Sequence, residues 1–372
     1  ETVCMIGETP FTSVQAAVNA IQSGAVTLEE GETAEIRMVK DSVENVAIPG
    51  EMTVVLNLNG KTLRGHSTAI SCQGNLTIVD EKDPGVTTTG TITGFGVEAG
   101  GGVRVLSGGH VTMKSGQISD CYGSTANTGD NSGEKGGAAV CVEAGTFVLE
   151  GGSLNHNSAP CGSAVLVRNG AGRFQMLGGV IEENTGNYGA VFVKRGTAQI
   201  AGGKIIKNTA KNNGGGVYIS SGTLNIIGKK DNTVEISDNS AGERGGGIYI
   251  NDGRVSLKNV DITSNRTTNA KTTDVTMSAG GGIYANVGRL DIGEGTTIMN
   301  NSAVRGGGIY QRSTSTIHMI DGVISKNTAQ MGGGVAQYPN AICKFLLMGG
   351  GVYDNLSKLS ASGNDFYSRY EG

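Results

Sequence analysis

The sequence has no apolar run approaching the roughly 18 to 20 residues of a membrane-spanning helix, so no such helix is expected. The formal net charge of −4 is small for 372 residues and gives no electrostatic reason to bind nucleic acid or an anionic membrane. The six cysteines lack metal-site spacing and are too sparse for a disulfide scaffold. One or two disulfides, or six free thiols, are both compatible with this pattern.

Motifs of several enzyme classes are also missing from the sequence. It contains no serine nucleophile elbow, no HExxH zinc motif and no EF-hand loop. No helix is predicted after the glycine clusters, so they do not resemble phosphate-binding loops. We therefore expect no metal ion and no cofactor.

Glycine, in contrast, is abundant: 63 of the 372 residues, against a globular average of roughly 7%. Its spacing has no three-residue period, which excludes collagen. Hydrophobic residues make up only 37% of the chain but recur regularly. This combination predicts a thin repetitive core rather than disorder.

The first part of the chain differs from the rest. After Thr12 or Ser13, apolar residues at helical spacing predict a short amphipathic helix that ends at Gly24 and caps a repeat array. Short alternating strands follow. We divide one continuous domain into a cap (residues 1–33), irregular first coils (34–99), regular coils (100–355) and a C-terminal edge or cap (356–372).

From residue 100 a repeat is explicit. Each unit has a glycine cluster, an aliphatic residue, further short strand-like runs and a closing Asn, and five of the eight intervals between units are 25 or 26 residues. Three strands per unit, stacked coil on coil, predict an all-β fold. We predict a right-handed parallel β-helix formed by one chain, with three strands per coil and about 11–12 coils.

The closing Asn column has a structural interpretation. Asn tolerates the left-handed conformation of a sharp corner, and stacked Asn amides can form a hydrogen-bonded ladder. The glycines would allow a tight corner and close backbone approach. The predicted ladder consists of Asn157, Asn184, Asn208, Asn239, Asn265, Asn301, Asn327 and Asn355.

The pairing of GGG-Ile-Tyr or GGG-Val-Tyr with a downstream Ile-x-x-Asn resembles the repeats of the polymorphic outer-membrane protein family. More generally, the sequence is similar to right-handed β-helix repeats of bacterial surface proteins and autotransporter passengers. The resemblance covers residues 100–355, although Ile or Val replaces the Phe of that family's FxxN motif and GGG replaces GGA in most copies. It implies surface display and adhesion, whereas the pectin-lyase-like architecture also includes polysaccharide lyases and hydrolases.

One predicted outward column is aromatic. A strip of this kind could bind glycan rings or a protein partner, or it could simply stabilise and cover the sheet. Its successive aromatic members are Phe192, Tyr218, Tyr249, Tyr284 and Tyr310.

Two other outward columns offer candidates for catalysis. Glu143, Arg168 and Lys194 could supply the base and cations of a polysaccharide lyase, or could simply form cross-strand charge pairs. His156 and Glu183 could form an acid–base pair, or could belong to a solvated edge.

Two polar insertions, Gly123 to Lys135 and Arg266 to Ala279, leave from the same corner of the repeat. Insertions on one face often mark the binding face of a repeat protein, although they are also tolerated as surface loops.

The sequence thus predicts a secreted or cell-surface bacterial module that binds a host-cell protein or glycan and is a monomeric part of a longer chain. We expect any signal peptide or anchor to lie outside this segment. A polysaccharide lyase or glycoside hydrolase is the alternative, and a passive stalk is the second.

Overall fold

The computed structural model describes residues 1–28, 31–96, 99–123, 135–269, 278–339, 342–359 and 363–368. Strands account for 49% of the chain and helix for 3%, which confirms the all-β prediction. The strands form four long sheets, here called A, B, C and D. Neighbouring strands run parallel, except that Cys4–Ile6 at the N terminus runs antiparallel to Thr9–Phe11 and to Ala34–Met38.

The sheets contain 14, 12, 12 and 8 strands respectively. Sheet A consists of Cys4–Ile6, Thr9–Phe11, Ala34–Met38, Thr53–Asn57, Asn75–Val79, His110–Met113, Thr146–Leu149, Arg173–Met176, Thr197–Ile200, Thr223–Ile227, Arg254–Lys258, Arg289–Ile292, Thr316–Met319 and Lys344–Leu347. Sheet B consists of Ser42–Val43, Thr62–Arg64, Thr91–Thr93, Gln117–Ser119, Ser153–Asn155, Val180–Glu182, Lys204–Ile206, Val234–Ser237, Val260–Thr263, Thr297–Met299, Val323–Ser325 and Gly351–Tyr353. Sheet C consists of Val46–Ile48, Ile70–Cys72, Val103–Val105, Val140–Val142, Val165–Val167, Val191–Val193, Val217–Ile219, Ile248–Ile250, Ile283–Ala285, Ile309–Gln311, Val335–Gln337 and Phe366–Tyr367. Sheet D consists of Ser158–Cys161, Thr185–Tyr188, Thr209–Asn213, Ser240–Ala241, Arg266–Thr267, Ser302–Arg305, Thr328–Met331 and Leu356–Ser357.

Within a coil the chain passes through sheets A, B, D and C in that order, and each strand pairs with its equivalent in the next coil. Val217–Ile219, for example, lies between Val191–Val193 and Ile248–Ile250 in sheet C. This winding fits a parallel β-helix. The sequence did not predict the short strands of sheet D, which follow the Asn column.

The core lies inside the coils and is built from alternate residues of the short strands. The predicted inward residues, such as Val217, Ile219 and Leu224, are 0–2% exposed. Val and Ile suit these positions because their branched side chains pack well on a pleated sheet. Each coil buries few apolar residues, so its stability depends on the neighbouring coils.

The predicted N-terminal helix is present as Val14–Gln22, with Ser13 as its N-cap. The Ser13 hydroxyl accepts a hydrogen bond from the backbone N–H of Ala16 at 2.9 Å. Val14, Ala17 and Val18 are buried against the first coils, so the helix covers that end of the core.

Glu44, from outside the helix, completes this cap. Its two carboxylate oxygens accept hydrogen bonds from the backbone N–H groups of Val14 and Gln15, both at 2.8 Å. The carboxylate also compensates for the absence of an acidic residue in the first turn of the helix. A side chain from the first coils thereby holds the cap in place.

We expect Glu44→Ala to destabilise the cap by about 1–2 kcal/mol, because two helix N–H groups lose their acceptor. Hydrogen exchange of the helix amides measures this effect directly. Glu8→Ala, at an exposed position, is the control and should leave those rates unchanged. Equal exchange rates in the Glu44 variant and the unmodified chain would contradict this role.

The glycine clusters form the corner between sheets D and C. Gly245 has φ +64°, a conformation that L side chains rarely adopt. A Cβ on Gly246 would lie 2.4 Å from the carbonyl oxygen of Gly281 and 2.5 Å from that of Arg266. The expected tight corner and close backbone approach are therefore confirmed.

The predicted Asn ladder is present. Its eight members are 0–5% exposed, and each Asn Nδ2 donates to the Oδ1 of the Asn one coil later at 2.9–3.1 Å, from Asn157 to Asn355. At the C-terminal end, Nδ2 of Asn355 donates to the carboxylate of Asp365 at 2.9 Å. The ladder therefore links the successive coils from Asn157 to Asn355 by side-chain hydrogen bonds.

The left-handed conformation at this corner was predicted for the wrong residue. It belongs to the residue before each ladder Asn, and to the equivalent residue before Cys121, where φ is 53–57°. The Asn side chain must point inward to reach the ladder, so the preceding residue makes the turn with its side chain in solvent. These residues are Asp120, His156, Glu183, Lys207, Asp238, Ser264, Asn300, Lys326 and Asp354.

Among the described residues, the C-terminal end of the core is covered less completely than the N-terminal end. Phe366–Tyr367 is the predicted final edge strand, and it pairs with Val335–Gln337 in sheet C. The expected covering of the core is incomplete among the described residues, because Leu347 is 55% exposed and Phe366 is 42% exposed. Both continue inward-facing rows whose earlier members are buried.

Candidate functional site

The predicted aromatic column lies on the outer face of sheet C. Its rings stack from coil to coil with centroids 4.6–5.3 Å apart, beginning with Phe192 and Tyr218. The stacking interpretation is confirmed. The expected accessibility is wrong, because all five side chains are only 0–6% exposed: Phe192, Tyr218, Tyr249, Tyr284 and Tyr310.

Sheet D and the loops next to it cover this column. Tyr188 packs edge-on against Tyr218, with ring centroids 5.6 Å apart, and the guanidinium of Arg244 lies 5.9 Å from the ring centroid of Tyr284. The rings form the centre of a second hydrophobic cluster outside the main core. Burial raises the pKa of the Tyr218, Tyr249 and Tyr310 hydroxyls, so these phenols are neutral at physiological pH. Packing against these rings therefore holds sheet D on the outer face of sheet C.

The lyase candidates form a network of ion pairs. Glu143 accepts from the Arg104 guanidinium at 2.5 Å and lies 3.4 Å from Nη1 of Arg168. This contact confirms the charge pairing between Glu143 and Arg168. Two guanidinium groups therefore already occupy the Glu143 carboxylate.

His156 and Glu183 do meet, with Nε2 3.0 Å from a carboxylate oxygen. Lys207 lies 3.8 Å from the other oxygen of the same carboxylate. The His156 and Glu183 side chains are about half exposed and lie at the left-handed corner, where side chains point into solvent. This setting matches the interpretation as a solvated edge.

A groove of about 520 Å³ lies on the outer face of sheet B, beneath the turn that contains Asp231 and Asn232. Lys204 is 2.7 Å from the Glu235 carboxylate and holds the pKa of that group below its usual value through a hydrogen bond. Asp261 accepts from the hydroxyls of Thr233 and Thr297, each at 2.6 Å. Because Glu235 stays ionised, it is unsuited to donate a proton to a leaving group.

All six cysteines are free thiols, and five of them are buried. Burial raises the pKa of Cys72, Cys121 and Cys141 to about 12, so these thiols are protonated and unreactive. Within the described ranges, no three His, Cys, Asp or Glu side chains come together in a way that could hold a metal ion. Among the described residues, no helix has the length and apolar composition needed to cross a membrane.

A different set of residues is accessible. These residues form a row on the outer side of sheet D, and the row continues into the two coils before the first strand of that sheet. The backbone of each member pairs with that of the equivalent residue one coil later. We call this row the sheet D face. Ser158 is partly exposed and Ser240 is largely buried, whereas the other members are exposed. The row consists of Phe95, Tyr122, Ser158, Thr185, Thr209, Ser240 and Arg266.

The sequence contains a pattern that indicates this row, and the sequence-based prediction did not include it. Ser or Thr follows most of the ladder Asn residues and is itself followed by Ala or Gly, as in Asn208-Thr209-Ala210. The small residue points inward, where little space is left, and Ala210 is 2% exposed. The hydroxyl residue before it points into solvent. The alternation of only two or three residues is too short to identify a strand from sequence.

The two insertions begin at this row. Gly123 directly follows Tyr122, and its N–H donates to the carbonyl of Ser158. The second insertion continues from Arg266, and the N–H of Asn269 donates to the carbonyl of Gly242. The predicted common corner is confirmed at these positions, whereas residues 124–134 and 270–277 lie outside the described residues. Between Tyr122 and Arg266 the row spans five coil steps, or about 24 Å.

Comparison of this chain with protein-family models, with curated proteins and with solved structures found no match in any of the three.

Proposed function

We propose that this chain is a right-handed β-helix module of an extracellular bacterial surface protein, and that it binds a host protein or glycan through the sheet D face. The right hand is supported by the general rule for parallel crossover connections. The surface location is supported by the resemblance of the glycine and Asn repeats to bacterial surface proteins. The module would act as a monomeric part of a longer chain.

One observation carries this proposal: the sheet D face lies open between the starts of two insertions. Thr185 and Thr209 are exposed there, and their backbones are held in a parallel sheet. A rigid face loses little conformational entropy when it binds a ligand. The aromatic column cannot take this role, because it is covered.

The described contacts do not favour polysaccharide cleavage. Glu143 and Glu235 are each held by a cation, and Asp261 accepts from two hydroxyl groups. A glycosidase needs one carboxyl group that stays protonated near neutral pH. Binding without chemistry therefore agrees better with these side chains.

We expect Thr185→Arg and Thr209→Arg to weaken ligand binding at least about tenfold, because a long charged side chain would obstruct the face. A host-protein and glycan array identifies ligands, and biolayer interferometry then gives Kd for each variant. Thr223→Arg, on the outer face of sheet A, is the matched control and should keep the original Kd. No binding to any array component would favour a passive stalk, and equal Kd values for all variants would place the site elsewhere.

A further inference from the structure

Phe95 and Tyr122 are two aromatic side chains that lie outside both hydrophobic clusters. They are 46% and 51% exposed, whereas the five rings of the column are almost completely buried. They occupy neighbouring coils at one end of the sheet D face, where their backbones pair in parallel. Exposed rings in adjacent coils leave apolar surface in water that a ligand could cover.

The backbone around these two residues is held firmly. The N–H of Tyr122 donates to the carbonyl of Gly94, and the N–H of Gly96 donates to the carbonyl of Tyr122 at 2.8 Å. The N–H of Phe95 donates to the carbonyl of Ser67 at 2.9 Å. The two side chains thus project from fixed points rather than from a flexible loop.

Within the row, the described side chains that follow the pair are polar and uncharged as far as Ser240. On the N-terminal side, Asn45 Nδ2 donates to the Ser67 hydroxyl at 3.0 Å. On the other side, the hydroxyls of Ser158, Thr185 and Thr209 follow in consecutive coils. The first charged side chain in the row is Arg266, several coils away.

The chemistry of this surface is specific. Flat apolar ring faces favour the C–H faces of a sugar ring, and neighbouring hydroxyl and amide groups can exchange hydrogen bonds with sugar hydroxyls. From Phe95 to Ser240 the row itself has no charged side chain, and the exposed corner residues beside it carry both signs, as in Asp120, Glu183 and Lys207. No single sign of charge therefore favours an acidic or a basic ligand. The sheet also repeats these groups at about 4.8 Å per coil, which suits a chain of similar units.

Resting on the proposed binding function, we infer that the ligand is an uncharged glycan chain that lies along the sheet D face, with sugar rings on Phe95 and Tyr122. The chain crosses the strands, and its hydroxyl groups meet those of Ser158, Thr185 and Thr209. Recognition is by shape and hydrogen bonding, so the affinity depends little on salt concentration.

Calorimetric titration of the intact chain tests this inference. The probes are neutral β-1,4-linked hexasaccharides of glucose, mannose and N-acetylglucosamine, with hexagalacturonate as the acidic counterpart. Phe95→Ala and Tyr122→Ala should each weaken binding of the best neutral probe about tenfold, whereas Tyr122→Phe should stay within about threefold. Tyr353→Ala, at an equally exposed tyrosine on sheet B, is the control and should keep the original affinity.

The outcomes separate the two proposals. Unchanged affinity in both alanine variants, or preference for hexagalacturonate, would overturn the glycan inference and leave binding by the sheet D face intact. Loss of affinity in Phe95→Ala and Tyr122→Ala but not in Tyr353→Ala would support it. Binding of protein ligands alone would also overturn it, whereas the absence of any ligand would count against both proposals. Unchanged melting temperatures would show that the variants are folded.

Discussion

Replacing Asn239 with Ala is expected to lower the free energy of unfolding by about 3–5 kcal/mol. The Asn239 Oδ1 accepts from the backbone N–H and from Nδ2 of Asn208, each at 3.0 Å. Its own Nδ2 donates to the carbonyl of Ile205 and to Oδ1 of Asn265. The truncation removes these four buried hydrogen bonds at a site where water cannot replace the lost amide. Urea denaturation followed by circular dichroism measures the change.

Asn225→Ala is the matched control for this prediction. Asn225 lies in the same coil on the outer face of sheet A and is partly exposed. Its truncation should change the free energy of unfolding by less than about 0.5 kcal/mol. If both variants unfold at the same urea concentration, the ladder does not stabilise the coils.

Truncation of Tyr284 to Ala is expected to cost a similar amount, about 3–5 kcal/mol. The ring is 0% exposed and stacks on Tyr249 at 5.1 Å and on Tyr310 at 5.3 Å. Its removal leaves a cavity in the second hydrophobic cluster and takes a contact from Arg244. Thermal unfolding followed by circular dichroism gives the size of the loss.

Two further variants separate packing from other effects. Tyr284→Phe keeps the ring and should cost less than about 1.5 kcal/mol. Tyr353→Ala removes a half-exposed ring and should be close to neutral. A Tyr284→Ala variant that unfolds at the original temperature would show that the column contributes no packing energy. Ligand binding by that variant, at a temperature where it is folded, should be unchanged.

The main core was predictable because it follows an alternation of two residues. Val217 and Ile219, like Leu224 and Ile226, were assigned to the interior from that period alone, and all four are 0% exposed. The Asn ladder was predictable for a similar reason. Its spacing equals one coil, and few interactions other than stacked amides require the same polar residue in every coil.

The position of the left-handed residue could not be predicted from composition. Glu183, Lys207 and Lys326 all adopt positive φ, although neither Glu nor Lys is a residue type that favours it. The inward direction of the following Asn imposes the conformation, and that direction is a property of the assembled coils.

The burial of the aromatic column was missed because the covering strands have no apolar pattern. Sheet D segments such as Thr209–Asn213 are polar and short. They pair only with their equivalents in the neighbouring coils. The sheet D face, which replaces the aromatic column as the candidate site, could not be recognised from the sequence for the same reason.

The side-chain amide dipoles of the Asn ladder all point in the same direction. Every Nδ2–H bond along it points toward the C-terminal end, so the amide dipoles add rather than cancel. The first carbonyl accepts from the backbone N–H of Cys121, and the last N–H meets a carboxylate, that of Asp365. A negative charge at the positive end of aligned dipoles is favourable, as it is at a helix N terminus. An ionised carboxylate has no hydrogen to donate onward, so Asp365 fixes the length of this hydrogen-bonded array.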